Sequence, residues 1–385
     1  MFVNFIDRKL IELMPDLIEM DHVHLDGIVT FLYYNVLYHG CSITASTKNP
    51  SDIKYTKDAY ICCMRALPGW QQEATGSTTD LIAALSMVTI CAESFDFELG
   101  WQMYELACDY ARGLNLHSLD AVHPSSINRD RISDVDRKGF WEFIQIDLVI
   151  QLLFDKPPSF TATTWKVNMP WLDPNSQPKE RIGATLFLAR SRISFVLMRF
   201  LALLKSDGNP EDLVQKTEDL CREIQELYTQ GRLGKWLLSS AESEADVWKV
   251  FDATLTGYTC ILFMLRRAEM HGHTSPASAD IEIALLDCPV ALDAARHIVE
   301  TSEWLLTRYP WPSSVSALFG AFKIHIAYSM LVNAVCRAPD VLAYATEIRI
   351  LHLLGDSIIR ICGAEREFAQ LVHAGYLNAR VKART

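Results

Sequence analysis

The sequence lacks a long uncharged apolar run, which is what a membrane-spanning helix requires. Such a helix needs about 20 consecutive apolar residues. The most apolar stretch, residues 186–204, is interrupted by Arg190, Arg192 and Arg199, and charged side chains are costly at bilayer depth. The first residues include acidic side chains, and no small-residue cleavage site follows them, unlike a secretory signal. We therefore expect a protein that stays inside the cell and makes no contact with a membrane.

The sequence is also poor in clustered basic residues, which argues against direct contact with nucleic acid. Its 36 lysines and arginines are outnumbered by 47 aspartates and glutamates, giving a formal net charge of −11. A protein that binds nucleic acid normally presents a basic patch, because neutralising phosphates supplies most of the non-specific affinity. The nearest candidate, formed by Arg380, Lys382 and Arg384, is too sparse to be such a patch.

The motifs of metal sites and of common enzymes are missing as well. The ten cysteines include only one close pair, the adjacent Cys62 and Cys63, whereas zinc sites use repeated pairs with short spacers. There is no glycine-rich phosphate loop, no G-x-S-x-G elbow and no H-E-x-x-H pair. We therefore predict reduced, mostly buried thiols, no metal, no cofactor and no catalytic residue.

Helical patterns fill almost the whole sequence. Apolar residues recur at three-to-four-residue spacing, and glycine or proline separates the segments as helix breakers do. A short extended piece at 165–169 is the best strand candidate. We predict an all-α fold, a large multi-helix domain of stacked antiparallel helices around one core, with a soft division near 118–133. The predicted helices are 5–20, 24–38, 54–67, 78–94, 97–113, 134–154, 180–205, 210–230, 244–270, 288–308, 312–337, 340–362 and 364–376.

Two pairs of histidines can be interpreted as metal ligands or as helix-terminal residues. His22 and His24 open a predicted helix, and His271 and His273 follow Glu269 at the end of another. Histidines separated by one residue point to different faces of a helix. Acid at a helix N-terminus and imidazole at a C-terminus both suit the helix dipole. We therefore favour terminal roles over metal binding.

Asp147 stands out because a carboxylate shares an apolar stripe with Phe140, Phe143 and Ile144. A buried carboxylate without partners costs several kcal/mol, so Asp147 must be paired or neutral. One interpretation is structural, a network that holds the following proline-rich loop through an arginine such as Arg112. The other is a general acid or base with a perturbed pKa. We favour the structural role, because no nucleophile or second carboxylate sits at a supporting position.

Part of the chain resembles the middle homology region of fungal zinc-cluster transcription factors. Gly100-Trp101 opens one helix of the pattern, and Arg112, Gly113, Leu114, Leu116 and His117 close it, with Gly113 expected to end the helix in the left-handed conformation. The basic pair Arg137-Lys138, the aromatic pair Phe140-Trp141, then Asp147 and the turn Asp155-Lys156-Pro157 follow in the family's order, as does the extended 167–170. The motif-bearing part is 78–172 of a regulatory domain that spans 1–385.

The sequence differs from the family's pattern in three respects. Leu148 replaces an arginine, Asp155-Lys156 replaces the Gly-Arg of the turn, and the six-cysteine cluster that contacts DNA does not occur. The resemblance implies an effector-sensing regulator of metabolic or secondary-metabolite genes, located in the nucleus or also in the cytoplasm. It further implies a protein partner or homodimer that supplies DNA binding, and a small-molecule effector. The motif residues carried over are Trp101, Arg112, Gly113, His117, Trp141, Asp147 and Pro157.

A second interpretation remains open from another functional class. The same helical fold could serve an enzyme or a binding protein for small apolar metabolites, because fold does not fix function. Its first candidate residues are Asp147, His117 and His123. An upstream reading frame that encodes a cysteine cluster would decide for the regulator, and its absence would leave both interpretations open.

Overall fold

The computed structural model shows an all-α protein, as predicted, with helices as the regular elements of the described residues. The helices are α1 (Arg8–Ile18), α2 (Gly27–Thr44), α3 (Pro50–Glu73), α4 (Thr78–Glu93), α5 (Phe97–Gly113), α6 (Asp134–Phe154), α7 (Pro178–Leu203), α8 (Pro210–Thr229), α9 (Glu244–His271), α10 (Pro289–Arg308), α11 (Pro312–Gly320), α12 (Ile324–Arg337) and α13 (Ala345–Cys362), with 3₁₀ turns at Leu116–Ser118 and Val341–Tyr344. The structure describes residues 8–18, 20, 22–44, 50–121, 134–156, 159–160, 165–172, 178–206, 209–229, 243–271 and 285–362. The predicted helix 364–376 lies outside the described residues.

The chain divides into two compact units where the sequence suggested one core with a soft division. Unit 1 comprises Met1–Leu116 and Tyr309–Ala321, and unit 2 comprises His117–Arg308 and Phe322–Thr385. The first boundary lies just before the division that the sequence predicts near 118–133. The return of α11 to unit 1 was not predicted.

In unit 1, α2 packs on α3, α4 packs on α5, and α11 contacts α4 and α2. The prediction that α3 ends at Pro68 is wrong, since the helix continues to Glu73 with Pro68 inside it. The reason lies in Trp70, which is fully buried, stacks on Phe31 at 4.6 Å and donates its indole N–H to Asp80 at 2.7 Å. Burying a tryptophan offsets the backbone hydrogen bond that a mid-helix proline removes.

The predicted single helix 312–337 is instead two helices, and Gly320 explains where the first one ends. A Cβ at Gly320 would overlap the carbonyl group of Ala92, at the end of α4. Only glycine allows this close approach of backbone to backbone. Lys323 then adopts a positive φ of 53° before α12 begins.

The end of α5 also differs from the prediction. Gly113 is the last helical residue, and it is absent from the residues that have positive φ. The left-handed position falls two residues later, on Asn115, with a φ of 53°. Asparagine tolerates this conformation better than most residues, so the helix ends without using glycine's freedom.

Unit 2 is organised around α9, which contacts α6, α7, α8 and α10. Most of its side chains between Val247 and Ala268 are buried, as expected for a helix that has neighbours on several sides. One part of this core joins α7 to α9 through Ile182, Leu186, Val250 and Ala253. α10 in turn packs against α12 and α13. Among the described residues no single helix is long and apolar enough to cross a membrane, although α11 and α12 together meet that length and composition as a bent pair.

Candidate functional site

The candidate site is built on α6, whose inner face is apolar except for three polar side chains. Its N-terminus carries Asp134 and Asp136, where negative charge suits the helix dipole. The helix packs against α7 and α9. Its buried residues are Phe140, Trp141, Phe143, Ile144, Gln145, Asp147, Leu148, Gln151 and Leu152.

An ion pair joins the start of α6 to the turn that follows the 3₁₀ segment. The guanidinium of Arg137 donates to Asp120 through Nε, 3.1 Å from both carboxylate oxygens, and through Nη2 at 2.7 Å from Oδ1. Its Nη1 donates to Asp134 at 3.0 Å. The Arg137 hydrogen bonds hold the pKa of Asp120 below its ordinary value, and the carboxylate in turn raises the pKa of Arg137. Both groups are therefore charged near neutral pH.

The extended piece predicted at 165–169 lies along this same turn. The backbone N–H of Lys166 donates to the carbonyl of His117 at 2.7 Å, and the N–H of Asp120 donates to the carbonyl of Lys166 at 2.9 Å. The N–H of Asn168 donates to Oδ2 of Asp120 at 2.7 Å. The described piece is irregular rather than a regular strand, because it pairs with a turn instead of another strand.

An aromatic cluster covers the inner side of this segment. Trp141, which is buried, donates its indole N–H to the carbonyl of Asn168 at 3.0 Å. Its ring lies 5.9 Å from Trp165 and 5.7 Å from Phe195 of α7. The ring of Phe160 makes edge-to-face contacts with the rings of Phe140 and Phe143. Edge-to-face pairs at these distances are individually favourable by about 0.5–1.5 kcal/mol.

Asp147 belongs to a buried polar network at the middle of α6. It is fully buried, and its Oδ1 accepts a hydrogen bond from Nε2 of Gln151 at 3.1 Å. The same Gln151 nitrogen lies 3.1 Å from Oγ of Ser159. The described partner is therefore Gln151, one turn later on the same helix. Arg112, which the sequence suggested, is about half exposed and pairs with Asp109 at 2.5 Å.

His117 completes the site on the side of the turn. Its ring lies 5.7 Å from the ring of Phe160, next in sequence to the Ser159 that Gln151 contacts. Its Nδ1 is buried and has no hydrogen-bond partner among the described residues. Buried polar atoms of this kind are uncommon in proteins.

α6 ends at the position where the resemblance has its turn. Asp155 adopts a positive φ of 51°, and the N–H of Lys156 donates to the carbonyl of Gln151 at 3.1 Å. This is the hydrogen bond of a Schellman motif, which ends helices at a left-handed residue. The Asp155 carboxylate also pairs with Arg267 of α9 at 2.6 Å.

The structure groups three of the predicted motif residues around Ser159 and Phe160. His117, Trp141 and Asp147 belong to this assembly, whereas Trp101, Arg112 and Gly113 lie on α5 in unit 1. Trp101 is half-buried, and its ring lies 5.6 Å from Tyr104. Pro157, His123 and His273 lie outside the described residues.

The other histidine candidates occupy open positions. His22, His24 and His271 are exposed. Within the described residues, no group of three or more His, Cys, Asp or Glu side chains is arranged to hold a metal ion. The ten cysteines are free thiols, and five of them are buried, with burial raising the pKa of Cys63 to about 12.

Sequence reasoning missed two residues on which the site depends. Asp120 belongs to no sequence motif, and its partner Arg137 lies 17 residues later, beyond a loop. The only sequence signal was that Arg137, within a largely apolar helix, needs an acidic partner. Gln151 could have been found, because it follows Asp147 by four residues and therefore shares its helix face.

A separate half-buried acid in unit 1 was also missed. Glu93 is the last residue of α4, where a negative charge opposes the helix dipole. Burial raises its pKa to about 7, although hydrogen bonds to Tyr38 and Ser42 lower it in part. The hydroxyl of the same Tyr38 lies 3.3 Å from Oγ of Ser94.

The α6 assembly fastens a segment of chain, and the buried Nδ1 of the nearby His117 has no hydrogen-bond partner among the described residues. Arg137, Asp120 and Trp141 are all engaged in holding 165–168. No family model matches the chain, and neither a curated protein nor a solved structure matches it.

Proposed function

We propose that the chain is the regulatory portion of a fungal zinc-cluster-type transcription regulator, and that these 385 residues do not themselves contact DNA. One observation supports the proposal: several residues that match the family's pattern belong to the same assembly on α6. Arg137 and Trp141 each fasten a segment outside the helix, and Asp147 accepts a hydrogen bond from Gln151, which in turn contacts Ser159 after the helix. Degenerate fragments that matched by chance would have no reason to converge on one assembly.

The backbone at Asp155 supports the same proposal. The family's turn begins with glycine, and Asp155 occupies that position with a φ of 51°. Glycine is the residue best suited to positive φ, and aspartate is one of the few others that adopt it. The residue type at this position therefore differs from the family's glycine, but the backbone has the positive φ that glycine adopts most easily.

In this proposal the chain controls genes of a metabolic or secondary-metabolite pathway and reaches DNA through a protein partner or a homodimer. The net charge of −11 is consistent with a chain that does not itself bind the phosphate backbone of DNA. Regulation would take place in the nucleus, with the cytoplasm as a second location, and a small molecule would act as the effector.

His117 favours a second candidate function, a binding protein or enzyme for a small apolar metabolite. Its buried Nδ1 lies beside Phe160 without a hydrogen bond in the described part of the chain. Aromatic walls with one polar atom are typical of sites for apolar ligands. His117→Phe would keep the aromatic contact and remove the nitrogen.

Deleting the gene and complementing it separates the two candidates. We expect deletion to change the transcripts of a defined gene set, and the full-length chain to restore them. Unchanged transcripts in the deletion strain, together with a changed metabolite level that His117→Phe cannot restore, would favour the metabolite-binding function instead. Thermal melting of purified His117→Phe checks that the variant is folded.

A further inference from the structure

α7 exposes one narrow stripe of side chains along its length. Between residues 182 and 203 its other side chains are buried or half-buried. The spacing along the stripe alternates between four and three residues, which is the heptad spacing that keeps side chains facing a second helix. The stripe consists of Leu188, Arg192, Phe195, Arg199 and Ala202.

The stripe alternates apolar and basic residues and contains no acid. Leu188 is 48% exposed and Phe195 is 42% exposed, which is unusual for large apolar side chains on a helix with a buried face. Arg192 forms no salt bridge with any residue in the described ranges. Arg199 contacts Glu223 of α8 at 2.5 Å, yet both side chains remain about half exposed. The stripe and the one acid that contacts it therefore carry two positive charges and one negative charge, on a chain of net charge −11.

The extended segment at the α6 assembly adds an aromatic edge beside the stripe. Phe195 contacts the ring of Trp141, whose indole holds the carbonyl of Asn168. The next residue, Met169, is 39% exposed, and Trp171 is 73% exposed. Trp171 follows Asn168 by three residues, which span at most about 11 Å. Tryptophan and arginine are the side chains most enriched at the centres of protein interfaces.

We propose that this stripe, with Met169 and Trp171 at its edge, is the docking site of an acidic amphipathic helix from a protein partner. Apolar side chains at every seventh position of that helix would pack on Leu188, Phe195 and Ala202. Carboxylates between them would pair with the two arginines, which gives the contact its specificity. The docking site is independent of whether the chain regulates transcription.

Charge decides against two other occupants of the same surface. A second copy of the chain, packed antiparallel about Phe195, would set Arg192 against Arg199, and like charges in contact are unfavourable. An anionic lipid surface would attract the two arginines, but it would repel a chain of net charge −11. An acidic helix covers only the stripe, and acidic side chains more than about 10 Å away are largely screened by salt, so it meets the arginines with much less of this repulsion than an extended lipid surface does.

The test uses the purified full-length chain and two synthetic helical peptides, each about three heptads long with leucine at every seventh position. One carries glutamate between the leucines, and the other carries lysine. We expect the glutamate peptide to bind in a fluorescence-anisotropy titration and the lysine peptide not to bind. In the double variant Arg192→Glu, Arg199→Glu, the glutamate peptide should bind at least about tenfold more weakly, and the lysine peptide should now bind.

Arg349→Glu is the matched control. Arg349 is an exposed arginine four residues before the exposed Leu353 on α13, and the acidic Asp356 follows on the same face. This variant should leave the affinity for the glutamate peptide unchanged. Circular dichroism of each variant establishes that the helices are intact.

Four results would overturn the proposal. The glutamate peptide could fail to bind, or it could bind the double charge-reversal variant as well as it binds the original chain. Sedimentation could show a dimer that Phe195→Ser separates into monomers, which would make a second copy the occupant. Vesicles of anionic phospholipid could bind the chain and lose it on charge reversal, which would assign the stripe to a lipid surface.

Discussion

Asp120 links three segments of the chain through one carboxylate and one peptide group. Its oxygens accept hydrogen bonds from the side chain of Arg137 and from the backbone of Asn168, and its own N–H donates to Lys166. The residue type alone carries no sign of this role, because aspartates before loops are common. The sequence could therefore predict the helix that carries Arg137, but not the acid that holds it.

Asp120→Asn should destabilise the protein near neutral pH and have little effect in acid. The folded state holds the pKa of Asp120 below its ordinary value of 3.8, so its contribution to stability is complete above that pH. It is lost as the pH falls through the lower folded pKa. Near neutral pH we expect the free energy of unfolding to fall by about 1.5–3 kcal/mol, the range for hydrogen bonds to charged groups.

Urea unfolding near neutral pH and in acid checks this expectation, with Asp219→Asn as control. Asp219 belongs to an exposed pair with Arg222 on α8, and exposed pairs contribute about 0–1 kcal/mol. Equal losses in the two variants, or a loss at Asp120 that is as large in acid as near neutral pH, would contradict the assigned role.

Glu93→Gln should stabilise the protein at alkaline pH. Burial raises the folded pKa of Glu93 to about 7, from an ordinary 4.5. The folded state therefore binds a proton more tightly than the unfolded chain, and stability falls as the pH rises from 4.5 through about 7. Glutamine avoids this cost, so above pH 7 the variant should gain about 1–3 kcal/mol.

The gain should vanish below pH 4.5, where the carboxyl is protonated in both states. Thermal melting across this pH range measures it, and Glu98→Gln at an exposed position of α5 is the control. A Glu93→Gln variant that is less stable than the original protein at every pH would show that the carboxylate is needed in its charged form.

Gln151→Met tests whether Asp147 is structural. Methionine has a similar size but cannot donate, so the buried carboxylate of Asp147 would lose the hydrogen bond from Nε2. Leaving a buried acceptor without its donor costs about 1–3 kcal/mol. Chemical denaturation should detect that loss, whereas Gln215→Met at an exposed position of α8 should change stability by less than about 0.5 kcal/mol. Equal effects at the two positions would remove the support for the network.

At the scale of elements, local patterns located most helices but misplaced several of their ends. The periodic apolar spacing that predicts a helix depends on neighbours along the chain, so α6 and α8 were predicted closely. Ends depend on contacts with other elements. α3 continues past Pro68 because Trp70 is buried against Phe31, and α11 stops at Gly320 because Ala92 lies against it. Neither contact has a signal in the local sequence.

Gly113→Ala gives a direct test of how α5 ends. If Gly113 occupied the left-handed conformation, alanine would be strained there by about 1–2 kcal/mol. In the structure Gly113 is helical, and a Cβ would meet nothing within 4 Å. Alanine should therefore raise the free energy of unfolding by about 0.5–1 kcal/mol, because glycine disfavours helix interiors.

Gly76→Ala is the matched control in the same unit, because Gly76 has a φ of 79°. Gly76→Ala should lower the free energy of unfolding, whereas Gly113→Ala should raise it. Thermal melting of the two variants side by side measures both signs. A destabilised Gly113→Ala would restore the left-handed ending that the sequence alone suggests.

At the scale of the whole molecule, composition predicted the all-α class but not the division of the chain. Half of the residues are hydrophobic, and their helical spacing left little room for a sheet. The return of Tyr309–Ala321 to unit 1 depends on contacts between residues far apart in sequence, such as Gly320 and Ala92. Asp147 lies on the buried stripe of α6 that the apolar spacing indicated, while Asp120 and the Ser159–Phe160 pair required the folded structure.

The central claim, that the chain regulates transcription, is tested most directly by rapid depletion of the protein. Nascent transcripts are measured immediately after an induced degradation signal removes the full-length chain, before metabolite levels can adjust. The account predicts that synthesis of a defined set of pathway transcripts changes at once and recovers when the chain returns. Unchanged nascent transcription, accompanied by accumulation or loss of a small apolar metabolite, would contradict it.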